Sequence, residues 1–271
     1  MKPRIIAGVI GIPLLVAIIL LPPIALTVAV SLISAVEVAE LVTKTFTNNK
    51  SISVTSIIFA AIIPFLSLSG SLLPVVIAFF VFLLAIVCLQ IYNYETQQIE
   101  QTSFAFFMSS VFPASMAFLV LLRNFNEHGL FYVLLAIIIA WMSDIGAYFI
   151  GTFFGKHKLC PQISPKKTVE GLLGGIAVSV IGSVIAGIVY QNFFVKETAE
   201  VVIWQIALLA LVSAPLSVLG DLFASLIKRQ HHVKDFGNII PGHGGVMDRF
   251  DSLLLVVPFL YIVINFLPLI K

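Results

Sequence analysis

Apolar residues run along this chain in stretches close to 20 positions long, separated by short polar segments. They show neither the alternation of a half-buried strand nor the single stripe of a soluble helix. A helix needs about 20 apolar residues to cross the hydrocarbon core of a bilayer. Nine such spans are predicted, at 5–21, 23–43, 52–69, 72–92, 103–122, 130–153, 172–190, 201–227 and 252–270. The fold class expected is therefore all-α, a polytopic integral membrane protein of about nine transmembrane helices. Lys2 and Arg4 ahead of the first span resemble the start of a signal peptide, but no small-residue cleavage site follows and the span runs straight into the next. It is read as retained. No long polar insertion or low-complexity linker interrupts the series, so residues 1–271 are expected to form a single transmembrane domain.

Composition agrees with this pattern. Hydrophobic residues make up 60% of the chain, against about 45–50% in soluble domains, and the mean hydropathy is +1.11. Charge then orients the spans, because cytoplasmic loops are enriched in Lys and Arg. With the N-terminus cytoplasmic, Lys2, Arg4, Lys44, Lys50, Lys156, Lys158, Lys166, Lys167, Lys228, Arg229, Lys234 and Arg249 lie inside, and only Arg123, Lys196 and Lys271 lie outside. The formal net charge of +2, with no aromatic-interleaved basic surface, gives no reason to expect nucleic acid as a partner. Cys88 in mid-span and Cys160 in a cytoplasmic loop suggest neither a disulfide nor a cysteine metal site.

The polar residues are not spread evenly. The segment 221–251 holds eight of the charged residues. Asp221, Ser225 and Lys228 are spaced to share one helix face, and a charge at the centre of a span costs about 2.5–3.5 kcal/mol on insertion scales, so a carboxylate there serves a site or a pathway. The simpler reading pairs Asp221 with Lys228 or Arg229. Asp144, in A-W-M-S-D-I-G-A-Y-F, lies about 15 Å from the cytoplasmic end of its span at 1.5 Å per residue, a depth similar to that of Asp221. Asp248 and Asp251 open the last span with Arg249 between them, and capping alone would explain one of the two. Converging carboxylates repel unless a cation neutralises them, and Mg²⁺ does so with oxygen ligands from few protein groups plus substrate phosphates.

Three further segments complete the polar set. P-G-H-G-G at 241–245, with His243, Gly244 and Gly245, reads as a close-approach loop for an anion, flanked by Lys228, Arg229 and Lys234 on one side and by Asp248, Arg249 and Asp251 on the other. In I-S-P-K-K-T-V-E-G at 163–171, Ser164 is expected to cap a helix beginning at Pro165, bringing Lys166, Lys167 and Thr168 to an anion at its N-terminus. Glu37 and Glu40, near the cytoplasmic end of the second span, are read as an interfacial face. His231 and His232 are read as solvated loop residues.

Ser225, Lys228, Arg229, Lys234, Asp235, Gly237, Pro241, His243, Gly244, Gly245, Asp248, Arg249 and Asp251 together fit S-x-φ-K-R-x4-K-D-x-small-x2-φ-P-x-H-G-G-φ-x-D-R-φ-D, with no departure at a fixed position. On this motif the chain resembles the phosphatidate cytidylyltransferase (CDP-diacylglycerol synthase) family, as do S-P-K-K-T-x-E-G at 164–171 and D-x-x-A-Y at 144–148. The motifs cover residues 140–260, whereas 1–130 match in character only. The resemblance implies that CTP and phosphatidic acid give CDP-diacylglycerol and pyrophosphate with Mg²⁺, as one ion or two. Asp221 and Asp248 would bind metal, with Asp144 and Asp251 in support. Lys228, Arg229 and His243 complete the expected catalytic set. Ser164, Lys166, Lys167, Thr168, Ser225, Lys234, Asp235, Gly244, Gly245 and Arg249 form the expected substrate-binding set. The implied partners are CTP, phosphatidic acid and the bilayer, with a homodimer left open, and the implied location is the inner (plasma) membrane with the active site facing the cytoplasm.

Two alternatives use some of the same residues. A CTP-dependent polyprenol-type kinase, or a cytidylyltransferase for another lipid phosphate, would need a similar polar face. A cation- or proton-coupled transporter would use intramembrane aspartates but has less reason to gather glycines, lysines and carboxylates at one face. The charge split predicts that single cysteines near 165 and near 238 react with a membrane-impermeant thiol reagent only from the cytoplasmic side. Labelling of either one from outside would overturn the orientation.

Overall fold

A computed structural model describes residues 11, 13, 15–42, 49–195, 199–240 and 244–271. The chain divides into two compact units, one formed by Met1–Glu127 with Val233–Phe250 and the other by His128–His232 with Asp251–Lys271. Seven helices among the described residues are long and apolar enough to cross a membrane, so the protein is a multi-pass, all-α membrane protein. They are α1 (Pro23–Leu41), α2 (Lys50–Ser67), α3 (Leu72–Tyr92), α4 (Ile99–Arg123), α5 (Gly129–Phe154), α6 (Val169–Phe193) and α7 (Ile203–Gln230), matching the second to eighth predicted spans. The first predicted span falls partly outside the described residues, with 11, 13 and 15–20 helical. In place of the ninth stand a single turn, α8 (Met247–Phe250), and a 14-residue helix, α9 (Leu253–Phe266). At 1.5 Å per residue α9 is about 21 Å long, short of the ~30 Å hydrocarbon core.

In the first unit α1, α2 and α4 pack on one another, and α3 packs on α2 and α4. Local sequence sets the helix starts: Pro23 occupies the first turn of α1, Asn49 accepts from the amides of Ser51 and Ile52 to cap α2, and Ser71 caps α3. The core joins Val38, Ile52, Phe59, Ile63, Phe82 and Ala105, with the rings of Phe59 and Phe82 stacked at 4.1 Å. Only Phe82 and Ile86 of α3 are buried, which leaves an apolar surface suited to lipid. The polar segment 93–102 is a hydrogen-bonded connector: Gln90 donates to the Gln97 carbonyl at 2.9 Å and accepts from Thr102 at 2.5 Å.

The second unit holds α5, α6, α7 and α9 together with a hairpin of β1 (Lys158–Cys160) and β2 (Ser164–Thr168). The expected helix start at Ser164 is thereby corrected. Residues 164–168 are a strand, and α6 begins at Val169 with Thr168 as its cap, the Thr168 hydroxyl accepting from Gly171 N–H at 3.1 Å. Thr168 is β-branched and extended, with φ −127° and ψ 157°, so one residue ends the strand and caps the helix.

Small residues let α5 and α6 come together. A Cβ on Gly175 would lie 2.7 Å from the Ser143 carbonyl oxygen, and one on Gly146 2.7 Å from that of Gly174. Helices in lipid associate through such close approach and through interhelical hydrogen bonds, here Ser179 to the Ile139 carbonyl at 3.0 Å. Gly175→Val should therefore lower the thermal midpoint of the detergent-solubilised protein, since overpacking costs about 1–3 kcal/mol. Gly182→Ala, whose Cβ would meet the flexible Met142 side chain at 3.0 Å, should have a smaller effect. Equal shifts would show that the α5–α6 approach is not the constraint inferred here.

Candidate functional site

In the second unit, α5, the hairpin and the adjoining ends of α6 and α7 enclose a cavity of about 510 Å³. This is within the usual size of a small-molecule site, about 300–1,000 Å³. Asp144, Lys158, Ser164, Lys166, Lys167, Thr168 and Asp221 contribute its polar wall, and Ala147, Leu159, Leu172 and Val218 its apolar one. An irregular β2 explains why both Lys166 and Lys167 reach the cavity. Lys158 pairs with Thr168 and Cys160 with Ser164, so two steps along β1 answer to four along β2. The extra residues break the strict alternation of a strand.

Asp221 pairs with Lys167, whose Nζ lies 2.5 Å from Asp221 Oδ2, and accepts from Ser225 at 3.4 Å. The shared face of Asp221 and Ser225 read from the sequence is thus present, and the lysine on Asp221 comes from the hairpin. Arg229, one of the residues expected to pair with it, donates to the Ile163 carbonyl at 3.2 Å and ties the end of α7 to the hairpin turn. Lys228 lies on the last turn of α7. Asp251 reaches α7 through its backbone: a Cβ on Gly220 would strike its carbonyl oxygen, so the entry to α9 is seated beside Asp221. The Asp251 carboxylate accepts from Ser252 N–H at 2.9 Å.

Glu170 fixes the hairpin on α6. Its carboxylate accepts from Lys156 N–H at 3.0 Å and His157 N–H at 3.2 Å, and meets His157 Nδ1 at 2.6 Å. The turn entering β1 is thereby held to the first turn of α6, and Lys158 is set on the cavity wall.

In the first unit, Asp248 organises the segment leading into α8. Its Oδ2 accepts from Phe236 N–H and Gly245 N–H, both at 3.0 Å. Gly244 has φ +88°, a left-handed conformation that favours glycine, and a Cβ there would meet Asp248 Oδ2 at 2.9 Å. Met247 N–H donates to Glu40 Oε2 at 3.1 Å. Lys234, Asp235 and Arg249 are exposed. His243, with Pro241 and Gly242, lies outside the described residues. The amides of Phe236, Gly245 and Met247 therefore donate to the protein's own carboxylates, where the sequence suggested an anion cradle.

Glu37 and Glu40 correct a second expectation. Their exposures are 0% and 5%, so both are buried in the helix bundle instead of forming an interfacial face. The sequence assigns no site role to Lys158, holds Glu170 only as a fixed position of the 164–171 motif, and offers Glu40 as a weaker carboxylate candidate beside its interfacial reading. Glu170 carried a signal, being an acidic residue in a helix's first turn, whereas the partner of Glu40 lies 207 positions away.

The carboxylates are hard oxygen donors for a cation, and the lysines are cationic partners for phosphate oxygens. Among the described residues no group of three or more His, Cys, Asp or Glu side chains could hold a metal ion. Asp144 and Asp221 in one cavity still fit Mg²⁺, which binds through one or two carboxylates and takes its other oxygens from water and substrate phosphate.

The family model described as "Cytidylyltransferase family" matches residues 2–267, and the chain belongs to that family. Among its relatives, "Phosphatidate cytidylyltransferase" of Bacillus subtilis (strain 168) is 45% identical over 140 residues, which is 52% of this chain and 49% of that protein. The proteins of the same name from Staphylococcus saprophyticus and Staphylococcus haemolyticus are 39% and 41% identical over 160 residues, 59% of this chain and 58% of each relative. The chain thus spans about half the length of the curated relatives it matches.

Glu170→Ala should release the hairpin without unfolding the helices. Amide exchange of the 156–168 peptides is expected to rise while that of α5 and α7 is unchanged. Unaltered exchange in the hairpin would show that other contacts hold it.

Proposed function

We propose that this member of the cytidylyltransferase family transfers the cytidylyl group of CTP to phosphatidic acid, giving CDP-diacylglycerol and pyrophosphate. The observation that carries this reading is the cavity where three lysines and two aspartates share a wall with apolar side chains. It offers charge for a triphosphate beside an apolar surface for a lipid. The names of the relatives support the same chemistry.

In this reading Lys158, Lys166 and Lys167 hold phosphate oxygens, and Ser164 and Thr168 offer hydroxyls to them. A phosphate oxygen of phosphatidic acid attacks the α-phosphorus of CTP in line. The bond from the α-phosphorus to the oxygen bridging to the β-phosphate breaks, and that oxygen leaves with pyrophosphate. Such a transfer depends on positioning and charge stabilisation, and no protein nucleophile is assigned. Asp221, with Asp144, would hold Mg²⁺, which when bound neutralises the triphosphate and orients it. Asp248 is assigned to the reaction on the motif alone. The basic-residue distribution supports a site facing the cytoplasm from the inner (plasma) membrane, and a homodimer is compatible with the reading.

Purified protein given phosphatidic acid, Mg²⁺ and CTP should carry label from the α-phosphate into extractable lipid and release label from the γ-phosphate as pyrophosphate. Label from the γ-phosphate in the lipid would indicate a kinase, and no lipid labelling at all would leave the transporter alternative. Asp221→Asn should reduce turnover far more than the loss of one hydrogen bond, which is worth about 0.5–1.5 kcal/mol. Near-normal turnover of that variant at saturating Mg²⁺ would remove Asp221 from the assigned role.

A further inference from the structure

We propose that Glu40 is a positioning residue: its buried carboxylate holds Gly237 and residues 244–248 in the conformation that presents Asp248. The inference rests on the assignment of Asp248 to the proposed reaction and concerns the first unit alone. Glu40 lies in the last turn of α1 and is 5% exposed. Its Oε2 accepts from Met247 N–H at 3.1 Å, one residue before Asp248. The Asp248 carboxylate in turn accepts from Phe236 and Gly245. Two carboxylates thus divide three amides of one irregular segment between them, and the Gly245 and Met247 amides, two residues apart, go to different ones.

The two glycines facing Glu40 show how closely it is built in. A Cβ on Gly237 would run into the Glu40 carboxylate. One on Gly245 would lie 2.7 Å from Glu40 Cδ and 2.6 Å from Gly237 N. Both positions must lack a side chain because the carboxylate and the facing backbone, Gly245 Cα at 2.9 Å from a Cβ on Gly237, occupy that space. Hydrogen bonds from backbone amides to a carboxylate are charge-assisted and about twice as strong as neutral ones, whereas a buried donor deprived of its acceptor is destabilised. Removing the Glu40 side chain would strip the Met247 amide of its acceptor and open a void beside both glycines. Asp248 would then stand on a segment with several conformations.

The test compares Glu40→Ala, Glu40→Gln, Gly237→Ala and the Glu40→Ala/Gly237→Ala pair in the full-length protein in detergent. Glu40→Ala should raise amide exchange within 236–240 and 244–248 and leave that of α1, α2 and α4 little changed. It should also lower kcat per folded enzyme by roughly tenfold to a hundredfold, the scale of a small misplacement near a reacting centre, with KM for CTP unaltered. Glu40→Gln keeps an acceptor oxygen and should restore most of both properties. Gly237→Ala should be severe alone and milder in the Glu40→Ala background, because the clash with the carboxylate is then gone and only the 2.9 Å approach to Gly245 Cα remains. Exchange unchanged in 236–240 and 244–248, full additivity of the pair, or a Gln variant as impaired as Ala would each overturn the proposal. Exchange raised throughout α1, α2 and α4 would do so too, since it marks general packing. If the wild type fails to turn over CTP and phosphatidic acid, the proposed reaction fails, while exchange and the double variant still decide the role of Glu40.

Discussion

A carboxylate at or within an apolar helix bundle is stabilised by a cation or a set of donors, and that requirement shapes the hairpin and the segment before α8. Unpaired charge in such a place is excluded by desolvation. Asp221 meets the requirement with Lys167 at 2.5 Å. Glu170 meets it with two amides and a histidine, Asp248 with two amides, and Glu40 with an amide donated from far along the chain. Non-helical backbone at the ends of spanning helices needs partners for its own N–H groups as well. Each pairing satisfies both sides, so the polar groups that would be liabilities in lipid become the fasteners of the hairpin and of the segment before α8.

Glycine supplies the complementary condition. The α5–α6 approach brings backbone within reach of backbone at Ser143 and Gly175, and at the end of α5 Gly151 and Gly155 lie against Thr168, the last residue of the hairpin. Gly220 plays the same part on α7, where the carbonyl of Asp251 lies against it. The cavity is therefore a product of helix packing, and its lysines are carried on a strand whose irregular register turns two neighbouring side chains the same way. Rigid helices provide the frame, and the short irregular element between two of them provides the chemistry.

How far the sequence foretold this depends on whether the cause is local. Span length is local, and spans two to eight reappear as helices; the helix expected over 252–270 shrinks to Leu253–Phe266, because Asp251 and Ser252 form a turn and residues 269–271 pair with 200–202. The shared face of Asp221 and Ser225 is also local, and it is present. Ser164 followed by Pro165 matches a helix start as well as it matches an edge strand, and the later cap at Thr168 wins once Glu170 draws the preceding turn onto α6. Glu40 looked interfacial because its position near a helix end says nothing of a partner 207 residues away. The loop 241–245 suggests room for an anion, and at Gly245, among its described residues, the structure places the Glu40 carboxylate in that room.

That last point bears on how phosphate is held. Glycine-rich loops bind phosphate through converging backbone N–H groups, but the amides of Phe236, Gly245 and Met247 already serve Asp248 and Glu40. In the proposed reaction, side chains able to hold phosphate are offered by the cavity of the second unit as Lys158, Lys166 and Lys167. A lysine is a flexible point charge without the fixed geometry of a backbone nest, so it follows an oxygen that moves as the bond between the α- and β-phosphates opens. Lys167 already has an anionic partner in Asp221. In the proposed reaction a triphosphate would compete with Asp221 for that lysine, and a cation on Asp221 would release it, so that metal and nucleotide would favour each other's binding through one side chain.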